Sequence, residues 1–142
     1  MVLIMGIFGQ AAILAVNLFR KETACSPKDA WNKAISRISQ SESSRNKGCP
    51  RDTFLGICSV GEIPGIPPGN YSNSEKNATY GIDAIRFLRI DPSLKNDLKG
   101  LWRKVIEGKN ISHNGQMDVV IALWQMNLIN RSPIPNHQLQ DN

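Results

Sequence analysis

Residues 113–129 read HNGQMDVVIALWQMNLI, and residues 49–63 read CPRDTFLGICSVGEI. Laid together, DVVIALWQMNLI (118–129) falls on DTFLGICSVGEI (52–63). Asp52 meets Asp118, Cys58 meets Trp124 and Gly61 meets Asn127. Gly and Asn both tolerate positive φ, so each is suited to end a helix. Two further pairs stand in the same order. AVNLFR (15–20) matches AIRFLR (84–89), and AWNKAI (30–35) matches LWRKVI (101–106), at offsets of about 66 to 71 residues. One such match is chance, whereas three in order indicate an internal repeat. Three short helices bury little by themselves, so two such units must share a core. The expected fold is therefore all-α, a compact bundle of about six helices built as two similar three-helix units. The single domain spans 5–130, with units at about 5–64 and 74–130 joined by a Pro/Gly-rich loop at 62–73. The tail 131–142 carries two prolines and no periodicity and is expected to be flexible.

Local signals support helices throughout. Ser26-Pro27-Lys28-Asp29 offers a cap, a proline at the first helical position and an acid three residues on. Ala30, Trp31, Ala34, Ile35 and Ile38 then form one stripe. SQSESSRNKG (39–48) is a polar separator, Pro50 opens the next helix, and Gly61 closes it in the left-handed conformation. EIPGIPPGNYSNS (62–74) excludes regular structure and reads as a linker or binding loop. Ser74 and Glu75 open a long helix. Asp91-Pro92 starts a turn, Asn96 or Asp97 caps a helix ended by Gly108, and Asn114 is the expected cap of the last helix. Trp31, Trp102 and Trp124 are assigned to the core.

The chain has 142 residues and a net charge of +5, with 41% hydrophobic and 20% charged residues, a globular composition. Between Arg20 and Arg51 lie eight cationic and three acidic side chains, so that stretch holds the whole excess. A local basic region of this kind is either a solvated face or a phosphate-contacting one. Cys25, Cys49 and Cys58 are an odd set without paired spacing, which argues against a disulfide framework and against zinc. No metal and no cofactor is expected. The opening run MVLIMGIFGQAAILAVNLFRK lacks a leading basic region, is interrupted by Gly9, Gln10 and Asn17, and ends at Arg20. It is read as a buried amphipathic helix, with no membrane segment and a cytoplasmic setting.

The matching register sets Lys47-Gly48-Cys49-Pro50 against His113-Asn114-Gly115-Gln116. Both stand at helix starts, where free N–H groups and the helix dipole favour anions. Two chemistries fit. Cys49, with Lys47 and Arg51 close by, is a candidate nucleophile and His113 its candidate base, Asn114 or Gln116 orienting the ring. Alternatively, Lys47, Arg51, His113, Asn114 and Gln116 join Tyr71, Ser74 and Asn77 of the loop in an anion-binding cleft. Each has a plain structural role as well: Cys49 as a packed residue, His113 as a cap, Tyr71 as an anchor, Ser74 as a cap, and Asn77 solvated. A helix-turn-helix reader is disfavoured, because Phe54, Leu55, Ile57, Cys58 and Val60 make the Pro50 helix too apolar to expose.

The Cys-Pro helix start, the G-I-P-x-G-x-Y-x-x-S-x-x-N loop (Gly65 to Asn77) and the His-Asn-x-Gln-Met-Asp run (His113 to Asp118) resemble an uncharacterised bacterial or phage-borne family of small helical proteins. The resemblance runs from about Gly6 to Ile129 and implies a single domain, with no activity attached. The expected function is a small intracellular binding protein for an anionic partner, nucleic acid or a nucleic-acid-processing complex. The rivals are an enzyme using Cys49 and His113, and a protein-interaction or inhibitor module. The interaction module predicts an exposed apolar patch.

Overall fold

The computed structural model describes residues 5–132. Its elements follow in the order α1 (Ile7–Arg20), α2 (Pro27–Ile38), α3 (Glu42–Arg45), α4 (Gly48–Ser59), α5 (Glu75–Ile90), a 3-10 turn (Pro92–Asn96), α6 (Leu98–Val105) and α7 (Gln116–Gln125). The described residues contain no strand, and the fold is all-α. Most of the tail, residues 133–142, lies outside the described residues, as do residues 1–4. Arg131, assigned to the tail from sequence, is instead anchored. Its Nη2 donates to Trp124 O and to Asn127 Oδ1, both at 2.7 Å, and its guanidinium lies 4.2 Å above the Trp124 ring.

The helix ends follow local chemistry. Ser26 Oγ accepts from Asp29 N at 3.0 Å, Ser74 Oγ from Asn77 N at 3.2 Å, and Asp97 Oδ1 from Gly100 N at 2.9 Å. Gly61 and Asn127 take positive φ, 75° and 58°, after α4 and α7. Two details depart from expectation. The polar separator contains α3, a single turn whose start is capped by Ser41 Oγ accepting from Ser44 N at 3.3 Å. α4 also begins at Gly48, ahead of Pro50, with Lys47 as its N-cap. Segment 62–73 is irregular, as expected, but it is pinned to the core by buried Ile63 and Ile66.

One hydrophobic core runs through the molecule, and Trp31, Trp102 and Trp124 all belong to it. α1 packs on α2 and α7, while α4 packs on α5 and α7. The third long helix of each half thus lies against the first helix of the other. Both crossings are close because a side chain is missing. A Cβ at Gly9 would stand 2.8 Å from Ala122 Cβ, and a Cβ at Gly56 would overlap Ala78 Cβ and Cα. A second pair of contacts also matches. Arg20 donates from Nη2 and Nε to Pro64 O (2.6 and 3.0 Å), and Arg89 does the same to Asn130 O (2.7 and 3.2 Å). Arg89 in addition forms a 2.8 Å ion pair with buried Glu62.

Candidate anion-binding cleft

The starts of α4, α5 and α7 come together, and hydrogen bonds join them. Asp52, the fifth residue of α4, accepts from Ser72 Oγ through its backbone carbonyl at 3.1 Å and from Asn73 N through Oδ1 at 3.4 Å. Ser72 Oγ accepts in turn from Ser74 N at 3.2 Å. Asn77 Nδ2 donates to Ser74 Oγ at 3.2 Å, and Gln116 Nε2 donates to Asn77 Oδ1 at 3.2 Å. Gln116 Oε1 then accepts from Asn114 N at 2.6 Å. Ser74, Asn77, Asn114 and Gln116 are therefore neighbours, as the sequence indicates. Their polar atoms, however, satisfy one another. Gln116 is 2% exposed, and a buried amide requires such partners. Tyr71 anchors the loop: its hydroxyl donates to Pro67 O at 2.7 Å, and its N–H donates to Ser59 Oγ at 3.1 Å.

His113 Nε2 accepts from Met117 N at 3.0 Å and so closes the start of α7. Asn114 does not take that role. The N-cap position falls to Gly115 at φ 88°, and Asn114 turns its own N–H to Gln116 instead. An accepting Nε2 places the ring proton on Nδ1 and keeps the imidazole neutral. Burial lowers the His113 pKa, and the charge of Lys47 lowers it further against the opposing pull of Asp118. Burial raises the pKa of Asp118 in turn. The imidazole packs edge-on to Trp102, with ring centroids 5.2 Å apart. Cys49 is half-buried, and its carbonyl accepts from Thr53 Oγ1 at 2.8 Å. Among the described residues no hydrogen bond joins Cys49 to His113, and the Nε2 that would take a thiol proton is occupied by the helix start.

The open polar site lies on the other side of Arg51. A cleft of about 430 Å³ between α2, α3 and the start of α4 is lined by Asn32, Ser36, Glu42, Arg45, Asn46 and Arg51, with Ile35. Arg51 Nη2 sits 3.4 Å from Asp52 Oδ2, and its buried Nε has no hydrogen-bond partner among the described residues. Two guanidiniums, two carboxamides and a hydroxyl face one carboxylate, so donors predominate. Forked guanidinium donors match a phosphate or carboxylate. Asn32, Ser36, Arg45 and Asn46 were absent from the expected site. Asn32 and Ser36 stand one turn apart on α2, a spacing that was available from sequence. What brings Arg45 and Asn46 to them is α3, which sequence did not reveal. Of the expected binding residues, Arg51 lines the cleft. Lys47 does not line it; its Nζ lies 5.6 Å from the centre of the Phe8 ring.

Among the described residues no group of His, Cys, Asp and Glu could hold a metal ion, and no helix is long and apolar enough to cross a membrane. No curated protein and no solved structure matches the chain. A family model does match residues 5–130, and through it the chain belongs to a family of unknown function, DUF6979.

Proposed function

We propose that the domain is a non-catalytic intracellular binding module, built from two interlocked copies of a three-helix unit, whose α2–α3–α4 cleft receives the phosphate backbone of nucleic acid. One observation carries the functional part. Arg45 and Arg51, from the stretch holding all the excess charge, line a single open cleft with amide and hydroxyl donors. The duplication draws support from the exchanged Gly/Ala crossings, Gly9 on Ala122 and Ala78 on Gly56, and from the matching Arg20 and Arg89 contacts. Backbone contact is favoured over sequence reading because Phe54, Leu55, Ile57 and Cys58 of α4 are fully buried and cannot enter a groove. Three free cysteines suit a reducing compartment.

The test is mobility shift of labelled duplex DNA and RNA across a salt series, comparing the native chain with Arg45→Ala/Arg51→Ala. Each phosphate contact contributes about 0.9 to the slope of log K against log salt for duplex DNA. The double variant should lose between about 1 and 2 of that slope. No retardation of either nucleic acid at low salt, or an unchanged slope in a folded double variant, would refute the proposal.

A further inference from the structure

The outer face of α6 carries a different kind of surface. Leu98, Trp102 and Ile106 follow one another at single-turn spacing, and segment 109–113 lays Ile111 beside them. Trp102 Nε1 donates to Ile111 O at 3.0 Å, which holds that segment against the helix. The four side chains floor a groove of about 560 Å³, in which Ile111 is 36% exposed. Lys99, Arg103 and Lys109 stand exposed along the rim, and among the described residues no carboxylate lines the groove. This face lies outside the Arg20–Arg51 stretch and outside the α2–α3–α4 cleft.

We infer that this groove docks a short acidic, amphipathic segment of a partner protein. Apolar side chains of that segment rest on the Leu98–Trp102–Ile106–Ile111 floor, and its carboxylates meet Lys99, Arg103 and Lys109. The arrangement is that of a helix or turn laid into an apolar channel with a charged border. The border supplies approach rate and choice of partner, and Ile111, the most exposed of the four floor residues, supplies the main apolar contact. Charge complementarity selects the occupant, since a segment carrying lysines would meet three like charges. The floor also argues against single-stranded nucleic acid. Base stacking needs an open aromatic face. Trp102 is only 7% exposed, with Tyr80 and His113 edge-on at 5.1 and 5.2 Å. Its indole N–H, the natural reader of a base edge, is already spent on Ile111 O.

Selection of short random peptides displayed on phage, against the folded full-length chain, tests this inference. The selected peptides should be rich in Asp and Glu interleaved with Leu, Ile or Phe. A representative peptide, measured by fluorescence polarisation, should bind Lys99→Glu/Arg103→Glu about tenfold or more weakly. It should bind Ile111→Ser several-fold more weakly, and Lys28→Glu, a reversal at an exposed position of α2, as well as the native chain. Thermal melts matched to the native chain establish that each variant is folded. A basic or uncharged consensus, or undiminished binding to the Lys99/Arg103 reversal, overturns the proposal. Displacement of the peptide by oligothymidylate at equal concentration also overturns it, by assigning the groove to nucleic acid.

Discussion

Replacing Gly56 with alanine sets two physical effects against each other. Alanine is favoured over glycine inside a helix by about 1 kcal/mol, so propensity alone predicts a more stable protein. At Gly56 the new Cβ would overlap Ala78 Cβ and, more seriously, Ala78 Cα. The obstacle is backbone, so no rotamer change removes it. α4 and α5 would have to separate by roughly 1 Å to restore carbon–carbon contact distances. Overpacking of this kind costs about 1–3 kcal/mol, and an unyielding backbone places it near the upper limit. The net loss should be about 2 kcal/mol once the helix gain is subtracted. For a domain of this size that lowers Tm by about 6–10 °C. Thermal and urea unfolding followed by circular dichroism would measure it. Gly9→Ala is the natural comparison, because its Cβ would stand 2.8 Å from Ala122 Cβ and 3.0 Å from Asp118 O, a milder overlap. Its loss should be smaller, near 1 kcal/mol (roughly). Adding Ala78→Gly to Gly56→Ala should recover only part of the stability, since Ala78 Cα stays where it is. A Gly56→Ala protein at least as stable as the native one would show that the crossing is not tight and would refute the reasoning.

Two further perturbations address the site and its support. His113 is held neutral below its ordinary pKa by burial and by Lys47, against Asp118, so the unfolded chain takes up a proton first as pH falls. Stability is therefore full above the ordinary imidazole pKa of about 6.5 and declines as pH drops below it. His113→Gln should flatten the profile of Tm against pH on that acid side. Profiles that remain parallel would exclude His113 as the source. Glu62→Gln removes the anionic partner of Arg89, whose side chain is 12% exposed, leaving Asn130 O as its acceptor. An uncompensated buried charge costs about 3 kcal/mol. The urea midpoint at constant m should report that loss, and an unchanged midpoint would show that the pair is not needed.

What was legible in the sequence was local or periodic. Ser26, Ser74 and Asp97 cap helices because a short side-chain oxygen accepts from the N–H of the third residue on, and that signal lies within four letters. Gly61 and Asn127 end helices for a reason visible in the residue type. Trp31 is legible as core from its apolar stripe, and Trp102 from its matching position beside apolar neighbours. α3 escaped because one turn is too short to show a period. His113 was legible as a capping residue from its place at a helix start, whereas the expected Asn114 cap failed because Gly115, at φ 88°, takes the N-cap position and His113 Nε2 accepts from Met117 N instead. The assembly at Ser74, Asn77, Asn114 and Gln116 was foreseen as a neighbourhood. Whether a polar atom there faces solvent or another polar atom depends on distances across three helices, which no local pattern encodes. The cleft at Asn32, Ser36, Arg45 and Asn46 has the same origin, since α3 folds back to join residues that sequence keeps apart.

The exchange of third helices between halves has a consequence for synthesis. α1 finds one of its main packing partners in α7, at the opposite end of the domain. Ala11, Ala12, Ala15 and Val16, fully covered in the folded domain, belong to α1, which is synthesised well before α7. α2 can cover part of that face early. The rest stays open until α7 has been translated. The nascent domain therefore completes the packing of α1 only after α7 has arrived.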